Sequence, residues 1–296
     1  MFLIIHNPLS NNKKSKKTTN KMVKFFRRNK IPFRLRSTLK IDNLNAFLDR
    51  NTKITDVLYL GGDGSINYLV NNVDVSKIKQ NIYLAKSGSG NDFLKSLTNK
   101  KTGEVTIANA KTNNGNYKFI NGAGIGIDSL ICHYVNNDAK KNKLSYLTNF
   151  FRAVLKYKRL DFEVEVDGKK HEFHKGYFVT IQNGKYVGGG MKMAPDADIY
   201  SDDFEVYVAH NLNNFLIQML FITIYVGLHK KIKRYVTRLT GKDIKIRINE
   251  ERYFQTDGEV YNGIKEIHIK KTSEKAFLPF NKKDFRTKIS KKFHSN

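Results

Sequence analysis

The stretch "LYLGGDGSINYLVNN", Leu58–Asn72, decides how the first half of the chain is read. It is preceded by "DVLYL", an apolar run of strand length. After it, Ile66, Leu69, Val70 and Val73 recur at the spacing of one helix face. Gly61, Gly62 and Gly64 therefore sit on a strand-to-helix turn, with Asp63 between them. A turn of this kind aims backbone N–H groups and the positive end of a helix dipole at one point. Glycines let an anion approach that backbone closely. Read alone, the stretch serves equally as a phosphate cradle or as an ordinary tight turn.

Around it the first half alternates. "FLIIHN", "FRLRST", "DVLYL" and "IYLA" read as strands. Helices are expected at 13–30, with Met22, Phe25 and Phe26 inward, at 41–48, after Gly64, and at 92–97. Repeated βα units predict an α/β domain with a doubly wound, mostly parallel sheet. The second half carries "DFEVEVD", "GYFVTIQN", "FEVYVAH", "DIKIRIN" and "KEIHIKK", whose period of two predicts a mainly antiparallel β-sandwich. Helices are expected near 144–157 and 215–230. The polar run "AKTNNGNYKFIN" marks the boundary, giving a nucleotide-binding domain over 1–115 and a β-rich domain over 116–275.

The chain has 296 residues, 40% of them hydrophobic, and a formal net charge of +26. Acidic partners follow: nucleic acid, an anionic membrane surface or phosphate-bearing substrates. The single cysteine, Cys132, excludes an internal disulfide and a cysteine-rich metal site. "FLIQMLFITIYVGL", Phe215–Leu228, is short of the ~20 apolar residues of a membrane span. "MFLIIHNP" is too short for a signal peptide, so a cytoplasmic location is expected.

Three further segments converge on the opening turn. "HNPLSNNKKS" places Asn7 and Pro8 at the end of the first strand. "LAKSGSGNDFLKSL" sets Gly88, Ser89 and Gly90 between a strand and a helix capped by Asn91 or Asp92. "QTDGEVY" puts Asp257, Gly258 and Glu259 in a turn between strands, which by itself reads as a plain Asp-Gly hairpin.

In this order, "NP", "GGDGS", "GSGND" and "DGE" resemble the diacylglycerol kinase catalytic family, which includes bacterial lipid kinases and sphingosine kinases. "NGAGIGIDS" (121–129) and "GGGMKMAPDAD" (188–198) are also similar to stretches of that family. The resemblance implies an ATP-dependent kinase acting on a lipid hydroxyl, with diacylglycerol and phosphatidic acid as the default pair. It implies nucleotide in a cleft between the two domains and a C-terminal segment, 276–296, packing back on the first. Thr38 matches a nucleotide-contacting threonine of the family, with Ser37 a rival one residue away. Glu259 aligns with the family's general base.

The residue chemistry agrees. No P-loop pattern is present, yet phosphoryl transfer still needs a phosphate cradle, a metal and a positioned acceptor. Two glycine turns supply the cradle. Asp63 supplies a carboxylate for Mg²⁺ or its water. Ser65 and Ser89 offer hydroxyls, and Asn67 lies one turn into the helix. A carboxylate at Glu259 would take the proton of a lipid alcohol.

One departure stands out. Family members often carry Asp-Gly shortly after "AP-x-A"; here "APDADIYSDDFEV" puts Ser201 and Asp202 in that place. Asp198, Asp202 and Asp203 either gather oxygen around a structural Mg²⁺ or form a solvated acidic turn. Twelve lysines and arginines precede the first acidic residue, Asp42, and "HKKIKRYVTRLTGK" and the tail are also basic. With no nucleic-acid-binding signature, an anionic lipid surface is the expected partner, with peripheral membrane association. A homodimer is left open. The rival readings are an NAD kinase, which shares the GGDG turn, and a non-catalytic lipid- or nucleotide-binding regulator.

Overall fold

The structure is a computed structural model that describes residues 1–8, 14–87, 91–97, 105–138, 143–272 and 278–279. The chain divides into two units, one holding residues up to Val105 together with Leu278–Pro279, the other Thr106–Ser273.

In the first unit, strands β1 (Phe2–His6), β2 (Phe33–Ser37), β3 (Asp56–Gly61) and β4 (Asn81–Lys86) alternate with helices α1 (Lys14–Arg28), α2 (Leu44–Asp49), α3 (Asp63–Asn72) and α4 (Asp92–Ser96). All described strand pairs of this sheet are parallel, in the order β4-β3-β1-β2. Two residues of the C-terminal segment, Leu278 and Pro279, pair in parallel with Tyr83 and Leu84 at the edge of the sheet; the rest of 280–296 lies outside the described residues. β3 is buried along its whole length, as a central strand covered on both faces must be. Met22, Phe25 and Phe26 of α1 are buried against Phe2, Ile4, Leu58 and Leu60, and Phe2 meets Phe26 edge-on at 5.2 Å.

The second unit is one antiparallel sheet of ten strands. In chain order these are β5 (Ala108–Thr112), β6 (Gly115–Phe119), β7 (Gly122–Gly126), β8 (Leu160–Val166), β9 (Lys169–Gly176), β10 (Phe178–Gln182), β11 (Phe204–Ala209), β12 (Val236–Gly241), β13 (Ile244–Thr256) and β14 (Glu259–Lys271). The 13-residue β13 turns the sheet over on itself. Its first residues pair with β8, its last with β7, and bulges lie between Arg247 and Phe254. Phe119, Phe162, Phe204 and Phe254 fill the space enclosed. Helices α5 (Ile127–Asn137), α6 (Lys143–Lys156) and α7 (Asn214–Val226) cover the other face. In β11, Val206 and Val208 point to one core and Tyr207 and Ala209 to the other, so "FEVYVA" is buried throughout.

The domain boundary lies about ten residues earlier than the polar run suggests. "AKTNNGNYKF" is the β5–β6 hairpin, with Ala108 opposite Phe119 and Thr112 opposite Gly115. Its turn residues look like a linker, but Ala110 and Phe119 are core residues of the second sheet.

Strand β7, "GAGIG", runs hard against its neighbours. A Cβ on Gly122 would stand 2.3 Å from Gln182 Oε1, and one on Gly124 1.9 Å from Asp128 Oδ2. Gly126 has φ +122° and a Cβ there would stand 2.3 Å from the Tyr177 carbonyl oxygen. Gly126→Ala is therefore expected to lower unfolding stability by at least about 2 kcal/mol, strain and clash together. Urea denaturation checks this; an unchanged midpoint would mean that the strand does not pass so close.

Candidate active site

The first unit presents its candidate residues along one sheet edge. The register sets His6 beside Ser37 and Leu60, and Gly61 beside Lys86. Asn7, Thr38, Gly62 and Ser87, each just past a strand, therefore share the carboxyl edge of the sheet, where α/β proteins bind ligands. Asn7 Nδ2 donates to Ser65 Oγ at 3.4 Å, and Ser15 Oγ of α1 donates to the Asn7 carbonyl at 3.0 Å. Pro8 follows as an exposed turn residue. Of the two rival hydroxyls, Ser37 Oγ accepts from Leu39 N at 3.2 Å and so caps a 3₁₀ turn that begins at Thr38.

The GGDGS turn has the build of an anion cradle. A Cβ on Gly61 would stand 2.8 Å from Ser65 Cβ and 3.0 Å from the Tyr59 ring, so only glycine fits. Tyr59 Oη holds the turn by donating to the Ser65 carbonyl at 3.0 Å. Gly62 is the N-cap of α3 and has no side chain to close the first N–H groups. A Cβ on Gly64 would meet nothing within 4 Å among the described residues. Asn67 is buried one turn in, and its carbonyl accepts from Asn71 Nδ2 at 3.0 Å.

The Asp63 carboxylate reaches the next helix. It accepts from Asp92 N at 2.9 Å and Phe93 N at 3.3 Å, the first amides of α4. Asn91, the N-cap by position, makes no side-chain cap, so Asp63 does that work from the neighbouring turn. Ser87 N donates to the Gly61 carbonyl at 3.1 Å and joins the turns a second time. Gly88 and Ser89 lie outside the described residues.

In the second unit the hairpin reading of "TDGEV" holds, and more is built on it. Asp257 (φ 51°) and Gly258 (φ 92°) are both left-handed, as a tight two-residue turn requires. Thr256 faces Glu259 across the turn. The Asp257 carboxylate accepts three backbone bonds of 2.9 Å, from Ile120, Asn121 and Gly122. Its own N–H donates to the Gly122 carbonyl at 2.8 Å. The turn is thus nailed to the start of β7. Glu259, the first residue of β14, is exposed.

Asp128, within the quoted glycine motif, is a group that sequence reading left without a role. Its Oδ1 is buried with no hydrogen-bond partner among the described residues. Oδ2 accepts from Gln255 Nε2 at 3.3 Å, and Gln255 Oε1 accepts from Gly258 N at 3.0 Å. This chain runs from the buried acid to the base of the Glu259 turn. Burial pushes the Asp128 carboxyl up to about 6, against the smaller opposing pull of the Gln255 bond.

The three-aspartate metal site is not assembled. Among the described residues no group of three His, Cys, Asp or Glu side chains could hold a metal ion. Asp198 accepts from Tyr200 N at 3.2 Å, and Asp202 lies 3.5 Å from Lys242 Nζ. Lys271 Nζ donates to the Ser201 carbonyl inside the same turn. Burial draws this ammonium down to about 8, while Asp202, Asp203 and Asp198 hold it up. The acidic turn is answered by a side-chain cation from β14.

Residues 1–118 match the diacylglycerol kinase catalytic domain, and residues 122–267 match the YegS C-terminal NAD kinase beta sandwich-like domain. The chain is 26% identical over 240 residues to the Bacillus subtilis (strain 168) protein named "Putative lipid kinase YtlR", covering 70% of this chain and 75% of that one. A Staphylococcus aureus (strain Newman) protein, "Putative lipid kinase", is 25% identical over 228 residues, 70% of this chain and 72% of its own. Among solved structures, a diacylglycerol kinase from Bacillus anthracis str. Sterne superposes with a TM-score of 0.65 at 18% identity, covering 92% of this chain and 94% of that one. An NAD kinase from Archaeoglobus fulgidus in complex with ATP gives 0.50 at 13%, covering 98% of each. Both likenesses concern the fold.

Asp63→Ala should leave the first two amides of α4 without acceptors. We expect a loss of about 1–3 kcal/mol and faster amide exchange at Asp92 and Phe93, read by urea unfolding and hydrogen exchange. Unchanged exchange there would remove the clamp. For Asp128, the folded value of about 6 lies above the unfolded value of about 3.9. The native state then binds more protons between the two, so stability falls as pH rises through that window. Asp128→Asn should lack this slope and exceed the wild type above pH ~6 by up to about 3 kcal/mol. Parallel urea midpoints from acid to neutral pH test it; identical slopes would contradict it.

Proposed function

Since the chain belongs to the diacylglycerol kinase catalytic family, we propose that it transfers the terminal phosphoryl group of ATP to a lipid hydroxyl, with diacylglycerol as acceptor and phosphatidic acid as product. The observation that carries the reading is the glycine-built amide end of α3: glycines at 61, 62 and 64, no side-chain cap from Gly62, and, among the described residues, space where a Gly64 side chain would be. Phosphates there would accept from backbone N–H groups and gain from the helix dipole. Asn7, Thr38, Ser65 and Asn67 sit along the same edge to hold the rest of the nucleotide. Mg²⁺ travelling with the phosphates would be neutralised mainly by their oxygens. Asp63 is the carboxylate of this turn, and Mg²⁺ prefers one or two carboxylates beside phosphate oxygens.

The second unit supplies the base. Glu259 stands exposed on a turn that Asp257 fixes with three backbone bonds. A fixed carboxylate would orient the acceptor hydroxyl and take its proton late, as a loose phosphoryl-transfer transition state allows. The enzyme would work at the cytoplasmic face of a membrane, held there peripherally.

Radiolabelled ATP offered with diacylglycerol, a total lipid extract and NAD side by side tests the reading. Label in a lipid product supports it; label in NAD alone, or nowhere, overturns it. Glu259→Gln should cut turnover by about 10²–10⁴ and leave ATP affinity by calorimetry nearly unchanged. Lost ATP binding with unchanged turnover at saturating ATP would make Glu259 a nucleotide contact.

A further inference from the structure

Helices α6 and α7 carry apolar side chains on their outer faces that the core does not use. On α7, Ile217, Leu220 and Ile224 are buried. The opposite face shows Phe215, Met219, Ile222 and Val226, at i, i+4, i+7 and i+11, with Phe215 66% and Ile222 62% exposed. On α6, Phe151 is 45% and Leu155 80% exposed, again one turn apart. The two faces are joined by a run of rings. Phe151 packs on Phe150 at 5.5 Å, Phe150 stacks on Phe221 of α7 at 3.9 Å, and Phe221 meets Tyr225 at 5.6 Å. The two helices are therefore packed together through rings beneath these faces, Phe150 being buried, and exposed apolar side chains gathered in this way mark an interaction site on a protein surface.

The charges that flank it are mostly cations, although Asp196 pairs with Lys230 at 2.7 Å just past α7. Neither helix contains an acidic residue. Exposed Lys156 and Lys158 follow along the end of α6, and exposed Lys231, Lys233 and Arg234 follow α7. α7 has 13 residues, about 20 Å of helix against roughly 30 Å of hydrocarbon. Among the described residues no helix is long and apolar enough to cross a membrane. An exposed apolar helix face too short to span can lie in the plane of an interface, with its apolar side chains in the acyl boundary and the cations that follow it among the headgroups.

We propose that the α6–α7 face docks the protein on an anionic phospholipid bilayer, with Phe151, Leu155, Phe215 and Ile222 entering the headgroup–acyl boundary and the flanking lysines meeting lipid phosphates. The inference deepens the lipid-kinase reading by naming the surface that brings the enzyme to its acceptor. Charge selects the bilayer over a second copy of the chain, because a two-fold contact through this face would bring like charges together.

The test is sedimentation of the full chain, without ATP, on vesicles of phosphatidylcholine alone and of phosphatidylcholine with phosphatidylglycerol. The wild type should bind the second and favour it more as salt falls. Leu155→Glu and Ile222→Glu, both at exposed positions, should keep the wild-type thermal midpoint and lose at least about tenfold in vesicle affinity. Lys231→Ser with Lys233→Ser should lose about tenfold and flatten the salt dependence. Wild-type vesicle binding by the glutamate variants would overturn the proposal. So would a wild-type dimer by sedimentation equilibrium that Ile222→Glu dissociates without changing vesicle binding. Turnover of a soluble short-chain diacylglycerol separates this inference from the reading beneath it. Glutamate variants that keep that turnover and lose vesicle binding support the face. Retained turnover with undiminished vesicle binding sinks the face alone. Salt-sensitive vesicle binding lost in the glutamate variants, with no lipid phosphorylated, sustains the face and sinks the kinase.

Discussion

A tight glycine turn frees backbone N–H groups, and something must accept them. In both units an aspartate next to glycine does so. Asp63 closes the first amides of α4, and Asp257 closes three successive amides at the start of β7. The two carboxylates act as pins between segments distant in the chain. Asp63 thereby ties the second glycine turn to the first. Because Asp257 holds the hairpin, Glu259 stands on a fixed base.

The strands and helices of the first unit were legible because their apolar spacing is regular, and the turn glycines because each follows a strand. The direction of the Asp63 carboxylate was not. A metal-facing carboxylate and a helix-capping one have the same sequence, and the α4 amides lie 29 and 30 residues away. The Asp-Gly hairpin was readable locally, but its anchorage 135–137 residues upstream was not. "GAGIG" hid a strand because glycine has low strand propensity. Only the nearness of Gln182, Asp128 and Tyr177 explains its composition. The β5–β6 hairpin hid in the same way, behind turn residues that also make linkers.

Electrostatics follow the same division. The net charge of +26 is visible in the sequence, but the partner of each acid is not. Asp198, Asp202 and Asp203 read as a metal site or as a solvated acidic turn, and the sequence does not show that Lys271, some seventy residues later in the chain, enters their turn. Asp128 reads as one more polar residue until its carboxyl is found buried below Gln255.

The central claim is that nucleotide phosphates sit on the glycine-built amide end of α3. Amide chemical-shift mapping of the labelled protein with a non-hydrolysable ATP analogue addresses it most directly. The account predicts that the largest shifts fall on the amides of Asp63, Gly64 and Ser65. Saturable binding that leaves those amides unmoved, with shifts confined to residues 106–272, would contradict it.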